Sequence, residues 1–184
     1  MTMPERRRAL LDHGRDLFLA NGYGATSVDE ICSAAGVTKG GFFHYFTSKE
    51  GFASEVLADT WQEFVDAHEG SADLAPIDGV YAHIDFMVGF ISANGRLIPL
   101  LAQELGASHP EIRAQVQGYF QAWTERLRAL LQAAGCGDDT DPALEFVISV
   151  IEGVPVVAAQ LGEQVIPNAT AQLKRYVDVV TAVT

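Results

Sequence analysis

The side chains in this sequence that are best suited to binding another molecule lie between residues 26 and 50. Thr38, Lys39, Gly40 and Gly41 follow one another there, and aromatic and histidine residues come directly after them. A threonine hydroxyl with nearby backbone N–H groups can bind a phosphate, and a lysine can donate to a phosphate or to a guanine edge. Glycines let the backbone approach a large partner closely. This combination of residue types predicts contact with nucleic acid.

Two short helices joined by a tight turn are expected to position these residues. Ser27 begins the first helix with the Ser-Val-Asp-Glu pattern of a capping box, and Gly36 supplies the turn. Thr38 begins the second helix, which runs to about Tyr45. Helices in this order form a helix-turn-helix, in which the second helix enters the major groove of DNA. A glycine inside a helix lowers the stability of the helix by about 1 kcal/mol relative to alanine, and close approach of the backbone to DNA would offset this loss.

The charge distribution limits where DNA could bind. The chain has 184 residues and a net charge of −12, which opposes binding to phosphates. Residues 1–54 contain six basic and six acidic residues, so the whole excess of acid lies in residues 55–184. We expect an acidic body that repels DNA everywhere except at a neutral N-terminal head, and therefore weak non-specific binding.

The rest of the chain is also predicted to be helical, because no segment alternates apolar and polar residues with period two. The fold class is therefore all-α. The first helix is expected from about Pro4 to Asn21 and the fourth from Ser48 to about His68, followed by a loop at 69–76. Later helices are expected at about 77–93, 96–106, 110–134, 142–163 and 167–183. Phe42 and Phe46 are expected to lie in the core.

The helix predicted at 142–163 is apolar nearly all round, so more than one of its sides must be covered. It is either a buried central helix or, together with the last helix, the interface of a two-fold dimer, which a palindromic operator favours. We predict no membrane span, because the most apolar stretch, 146–161, carries Glu152 and Pro155. Cys32 and Cys136 are too few for a disulfide framework, and no signal peptide is apparent, so a reducing cytoplasm is expected.

Residues 5–57 resemble the TetR family of bacterial transcriptional regulators. The resemblance rests on Leu17-Phe18, Gly22-Tyr23, Thr26-Ser27-Val28, Ile31, Ala34-Ala35-Gly36-Val37, Thr38-Lys39-Gly40, Phe42, Phe43-His44-Tyr45-Phe46 and Ser48-Lys49-Glu50. It implies a helix-turn-helix DNA-binding domain at 1–50 and a helical effector-binding and dimerisation domain at 51–184. In this family a small molecule entering the larger domain shifts the fourth helix, changes the spacing of the two heads and releases the DNA. The function implied is that of a transcriptional regulator, most often a repressor.

The residues expected to contact DNA follow from the motif. Phe43 stands where tyrosine is common in the family, and either contacts a thymine methyl group or packs. His44 and Tyr45 resemble an aromatic pair that touches the DNA backbone in relatives. Arg6, Arg7 and Arg8 could enter a minor groove or form a disordered arm. The full expected set is Ser27, Thr38, Lys39, Gly40, Gly41, Phe43, His44, Tyr45, Ser48 and Lys49.

The effector side of the chain is less sharply marked. Aromatic residues are abundant and polar anchors few, which favours a hydrophobic effector held between helices, although most of these side chains could simply fill the core. The candidates are Trp61, Phe64, Phe86, Phe90, Phe120, Trp123 and Glu152. The five histidines have no metal-ligand spacing, and no phosphate-binding loop or nucleophile motif appears, so neither cofactor nor enzyme activity is predicted. The alternative function is a helical interaction protein of the same fold that has lost DNA binding.

Overall fold

The computed structural model describes residues 2–68, 74–94 and 97–182, with the side chains of residues 68 and 94 excepted. Within these ranges it has nine α-helices, one short 3-10 turn at Gly137–Asp139 and no strand, which confirms the all-α prediction. Of the loop predicted at 69–76, residues 69–73 lie outside the described residues. The helices are α1 (Met3–Asn21), α2 (Val28–Ala35), α3 (Lys39–Tyr45), α4 (Lys49–His68), α5 (Pro76–Asn94), α6 (Leu97–Leu105), α7 (Pro110–Ala133), α8 (Thr140–Leu161) and α9 (Val165–Thr181).

The chain divides into two compact units. The first unit comprises residues 1–66 and 96–119, and the second comprises residues 67–95 and 120–184. Most of α4 and all of α6 therefore pack with the first three helices. The domain boundary predicted at residue 50 stays a prediction.

Aromatic rings form the centre of the first unit. Phe18, Phe42, Phe46 and Phe52 are all buried, and ring centroids of neighbouring pairs lie 4.8–5.9 Å apart. These distances are typical of favourable aromatic contacts. The prediction that Phe42 and Phe46 belong to the core is confirmed. Gly14 of α1 is needed here, because a Cβ at this position would lie 2.3 Å from Cζ of Phe52 on α4.

A row of ion pairs joins α1 to α4. Arg7 pairs with Glu55 at 2.7 Å, Arg8 pairs with Asp59 and Glu63 at 2.8 Å, and Arg15 pairs with Glu63 at 2.7 Å. The expectation of a disordered arginine arm is wrong. Helix α1 already begins at Met3, where a capping box between Thr2 and Glu5 satisfies its first N–H groups. Arg7, Arg8 and Arg15 therefore extend from a helix toward carboxylates that the sequence places about fifty residues away.

The second unit is built from α5, the part of α7 from residue 120 onward, α8 and α9. Its core includes Ile84, Leu127, Val147 and Ile151, and the buried indole N–H of Trp123 donates to Nε2 of His83 at 3.0 Å. The outer part of α8 and α9 remains apolar, with exposed side chains at Phe146, Val156, Val157, Leu161 and Val179. The sequence predicted no membrane span. Residues 137–161 are nevertheless long and apolar enough for one, since an 18-residue window within them has a mean hydropathy of 1.7, and 22% of that window is buried.

Candidate nucleic-acid interface

The turn between α2 and α3 has the geometry of a helix-turn-helix. The Ser27 hydroxyl accepts the Glu30 N–H at 3.2 Å, and the Glu30 carboxylate accepts the Ser27 N–H at 2.7 Å, which closes the predicted capping box. That backbone hydrogen bond, followed by the one from the Ser27 hydroxyl, lowers the pKa of Glu30. Gly36 ends α2 in the left-handed conformation (φ +64°), which glycine adopts without strain. The predicted helix-turn-helix is confirmed.

Helix α3 has one anchored side and one outward side. Phe42 is fully buried on the aromatic core, whereas Lys39 and His44 are exposed and Phe43 is 49% exposed. The Phe43 ring touches the Phe42 ring edge-on at 5.3 Å, so it both packs and presents half its surface. The Thr38 hydroxyl accepts the Gly41 N–H at 3.1 Å. Because a hydroxyl also carries a donor, this cap leaves Thr38 able to donate to a phosphate.

The two glycines of α3 occupy different surroundings. A Cβ on Gly40 would meet nothing within 4 Å, so no neighbour in the described structure requires glycine there. A Cβ on Gly41 would lie 2.8 Å from Cγ1 of Val37 and 3.3 Å from Oγ1 of Thr38. Gly41 is therefore required by the turn itself, whereas Gly40 is the glycine whose absent side chain leaves open surface for a partner.

Lys39, the only lysine or arginine of α3, forms an ion pair with Asp29 in the first turn of α2. Its ammonium lies 3.0 Å from the carboxylate, and the two side chains are 58% and 69% exposed. Exposed pairs of this kind are worth about 0–1 kcal/mol, so Lys39 can exchange partners readily. The sequence singled out Lys39 but gave Asp29 no role at this surface.

Lys49 starts α4 beside the turn that joins α1 to α2. Its ammonium donates to the Tyr23 carbonyl oxygen at 2.6 Å and lies 4.0 Å from the Tyr23 ring centroid. Burial lowers the pKa of Lys49, and burial together with the nearby Glu50 carboxylate raises the pKa of Tyr23. The Glu104 carboxylate of α6 accepts the N–H groups of Tyr23 at 3.2 Å and Gly24 at 2.7 Å. Nothing in the neighbouring sequence pointed to Glu104, which lies about eighty residues away.

The remaining predicted DNA contacts also have partners within the chain. The Ser48 hydroxyl accepts the Gly51 N–H at 3.0 Å, as a cap of α4. The Tyr45 hydroxyl donates to the Met3 carbonyl at 3.0 Å, and its ring lies 5.2 Å from the exposed His44 ring. Ser27, Thr38 and Ser48 thus stand at helix starts, and the assignment of all ten residues to DNA stays a prediction.

The predicted effector residues fall into separate groups. In the first unit Trp61 stacks on Phe64 at 4.7 Å and on Tyr119 at 4.6 Å. In the second unit the structure pairs Phe86 with Phe90 at 5.9 Å and Phe120 with Trp123 at 5.1 Å, and Glu152 is half-buried on α8. In the described parts of the chain no group of three or more His, Cys, Asp or Glu residues could hold a metal ion.

Comparisons with known proteins agree with this geometry. The model of the family described as bacterial regulatory proteins, tetR family, matches residues 10–56. The chain is 32% identical over 158 residues to the transcriptional regulator AcuR of Cereibacter sphaeroides, which covers 73% of this chain and 67% of AcuR. It is 27% identical over 122 residues to the transcriptional repressor DhaR of Mycobacterium sp. strain GP1, covering 65% of this chain and 62% of DhaR.

The fold is shared with solved structures as well. The crystal structure of the transcriptional regulator FadR from Bacillus subtilis, in complex with stearoyl-CoA, matches with a TM-score of 0.74 at 16% identity. That match covers 92% of this chain and 96% of FadR. The helix-turn-helix geometry, the family match over it and the likeness to AcuR along most of the chain lead to one conclusion. This chain belongs to the TetR family of DNA-binding bacterial transcriptional regulators.

Proposed function

We propose that this chain is a sequence-specific repressor that binds a palindromic operator as a homodimer and leaves it when a small apolar effector binds. The observation that carries the DNA-binding part is the outward side of α3, on which Lys39, Gly40, Phe43 and His44 are exposed while Phe42 fixes the helix to the core. A short helix held in this way is the element that reads base edges in the major groove.

The backbone contacts come from the helix starts around α3. The Thr38 hydroxyl accepts a hydrogen bond within the chain and keeps its donor for a phosphate oxygen. The hydroxyls of Ser27 and Ser48 already donate to the carboxylates of Glu30 and Glu50, and they exchange these partners for phosphate oxygens on DNA. Lys49 exchanges the Tyr23 carbonyl for a phosphate, because a charged acceptor forms a stronger hydrogen bond with an ammonium group than a neutral carbonyl does. In this reading residues 1–50 form the DNA-binding domain and residues 51–184 the effector-binding and dimerisation domain.

A second copy of the chain covers the apolar face of α8 and α9. Five large apolar side chains are exposed there, and Phe146 already contacts Tyr176 at 4.4 Å between the ring centroids. Two helices from each copy give a self-complementary interface with two-fold symmetry, which presents two heads to two half-sites. Glu152 and Pro155 within α8 make a protein surface a better cover than lipid.

The effector is an apolar small molecule held by residues of the larger domain. FadR, which has the same fold, is seen with stearoyl-CoA. In this chain the side chains proposed to contact the effector are aromatic, with one carboxylate as a polar anchor. They are Trp61, Phe64, Phe86, Phe90, Phe120, Trp123 and Glu152. Because Trp61 and Phe64 lie on the helix that begins at Lys49, a ligand that displaces α4 also displaces a phosphate contact. The regulator acts in the cytoplasm, on DNA, and we propose no enzyme activity and no cofactor.

Fluorescence anisotropy tests the DNA-binding part. The purified full chain is titrated against a labelled duplex from the region upstream of its own gene and against a scrambled duplex, at several salt concentrations. We expect selective binding that weakens with salt. Lys39→Ala reduces the selective binding, whereas Lys174→Ala, which removes the same charge from α9, leaves it unchanged.

Equal binding to both duplexes would contradict the proposal. A chain that is dimeric in analytical ultracentrifugation and binds neither duplex would instead fit a helical interaction protein that has lost DNA binding. A chain that is monomeric at micromolar concentration would contradict the dimer.

A further inference from the structure

The ion pair between Asp29 and Lys39 gives the surface of α3 an unusual property. Lys39 is the only lysine or arginine on this helix. Its ammonium lies 3.0 Å from each of the two carboxylate oxygens of Asp29, on the neighbouring helix α2. Three other basic side chains of the head are also paired, since Arg7, Arg8 and Arg15 face carboxylates of α4. A head of this kind carries little unneutralised charge toward a phosphate backbone.

We infer that Asp29 is a specificity-determining residue, which turns Lys39 from a general phosphate-binding cation into an oriented donor for base edges. This inference rests on the proposed function. A lysine ammonium has three donors, so Lys39 can keep Asp29 as one partner and still donate to guanine O6 or N7. Such a contact needs a directed hydrogen bond and does not need net charge.

Contact with a phosphate behaves differently. Its energy comes mainly from charge and from counterion release, and the Asp29 carboxylate weakens both, because it competes for the cation and repels the phosphate. Asp29 therefore lowers affinity for any sequence that offers Lys39 only a phosphate. Sequences that offer Lys39 a guanine edge lose less affinity. The result is a higher ratio of specific to non-specific affinity in a head that carries no net charge.

The substitution Asp29→Asn tests this, because it keeps the shape of the side chain and removes its charge. The probes are a duplex enriched by the wild-type chain from a randomised pool and a scrambled duplex of the same length. One added phosphate contact steepens the dependence of log K on log salt by about 0.9, which corresponds to about fivefold in affinity near 0.15 M salt. We expect that gain on the scrambled duplex and a change below about twofold on the enriched one.

Two controls separate this effect from a general change of charge. Asp16→Asn removes the same charge from an exposed carboxylate of α1, and we expect it to leave the ratio of the two affinities unchanged. In a Lys39→Gln background, Asp29→Asn should no longer alter the ratio, because the cation it releases is gone. Circular dichroism confirms that each variant is folded.

The outcomes distinguish the inference from the function on which it rests. If the wild-type chain enriches no sequence from the pool, the proposed function fails and this inference fails with it. If the wild-type chain is selective but Asp29→Asn changes both affinities equally, or acts equally without Lys39, only the role of Asp29 is overturned. A fall in selectivity that requires Lys39 establishes that role.

Discussion

Alanine at Gly40 and at Gly41 gives two adjacent substitutions with opposite expected effects. Both replace a glycine in the first turns of α3, so both gain the same helix propensity, at most about 1 kcal/mol. At Gly40 the new methyl group meets nothing within 4 Å, and that gain should remain as added stability. At Gly41 it would stand 2.8 Å from Val37, closer than real Cβ contacts come.

The structure sets the size of the difference. Forcing one methyl group into a packed junction costs about 1–3 kcal/mol, and because the propensity gain is common to both variants, this cost is the expected gap between them. For a chain of this length 1 kcal/mol moves the thermal midpoint by about 2–4 °C. Gly40→Ala should therefore melt slightly above the wild-type chain, and Gly41→Ala several degrees below Gly40→Ala.

DNA affinity should follow the reverse order. The methyl group at position 40 holds α3 away from the base edges. We therefore expect the affinity for the duplex enriched by the wild-type chain to fall about tenfold, or by about 1.4 kcal/mol. Gly41→Ala should retain more affinity at temperatures where it is folded. The assays are thermal circular dichroism and anisotropy. Equal melting temperatures would refute the Val37 clash, and undiminished binding by Gly40→Ala would refute close approach at that position.

Three further results are expected. Lys49→Ala should weaken binding to every sequence and flatten the salt dependence by about 0.9, as measured by anisotropy, and an unchanged slope would mean that Lys49 keeps its carbonyl partner on DNA. Gly14→Ala should destabilise the chain by about 1–3 kcal/mol in urea unfolding despite better helix propensity, because its Cβ would lie 2.3 Å from a buried ring atom of Phe52; a gain in stability would show that this contact relaxes. Because the pKa of Glu30 is lowered, its capping box stabilises the head at pH values above the ordinary glutamate pKa, and this contribution is lost as the pH falls through the lowered value. Glu30→Gln should therefore lose less stability in acid than the wild-type chain. Parallel profiles of stability against pH would contradict this.

Local patterns in the sequence were enough to predict the helices and their order. The capping residues Ser27 and Thr38 and the turn at Gly36 each act over three or four neighbouring residues, and the structure confirms each of them. The burial of Phe42 and Phe46 was predicted as well. Helix starts, turns and core faces are set by short-range hydrogen bonding and by one-sided burial, so a single sequence reveals them.

The sequence by itself therefore determined that this chain is an all-helical regulator with a helix-turn-helix head, and which side of α3 faces outward. Only the tertiary structure decided that Arg7 and Arg8 bind carboxylates of α4, that Glu104 holds the turn after α1, and that Asp29 holds Lys39. These partners lie between ten and about eighty residues apart in the chain. Which of many acidic residues meets which donor depends on how the helices pack, and no local pattern encodes that choice.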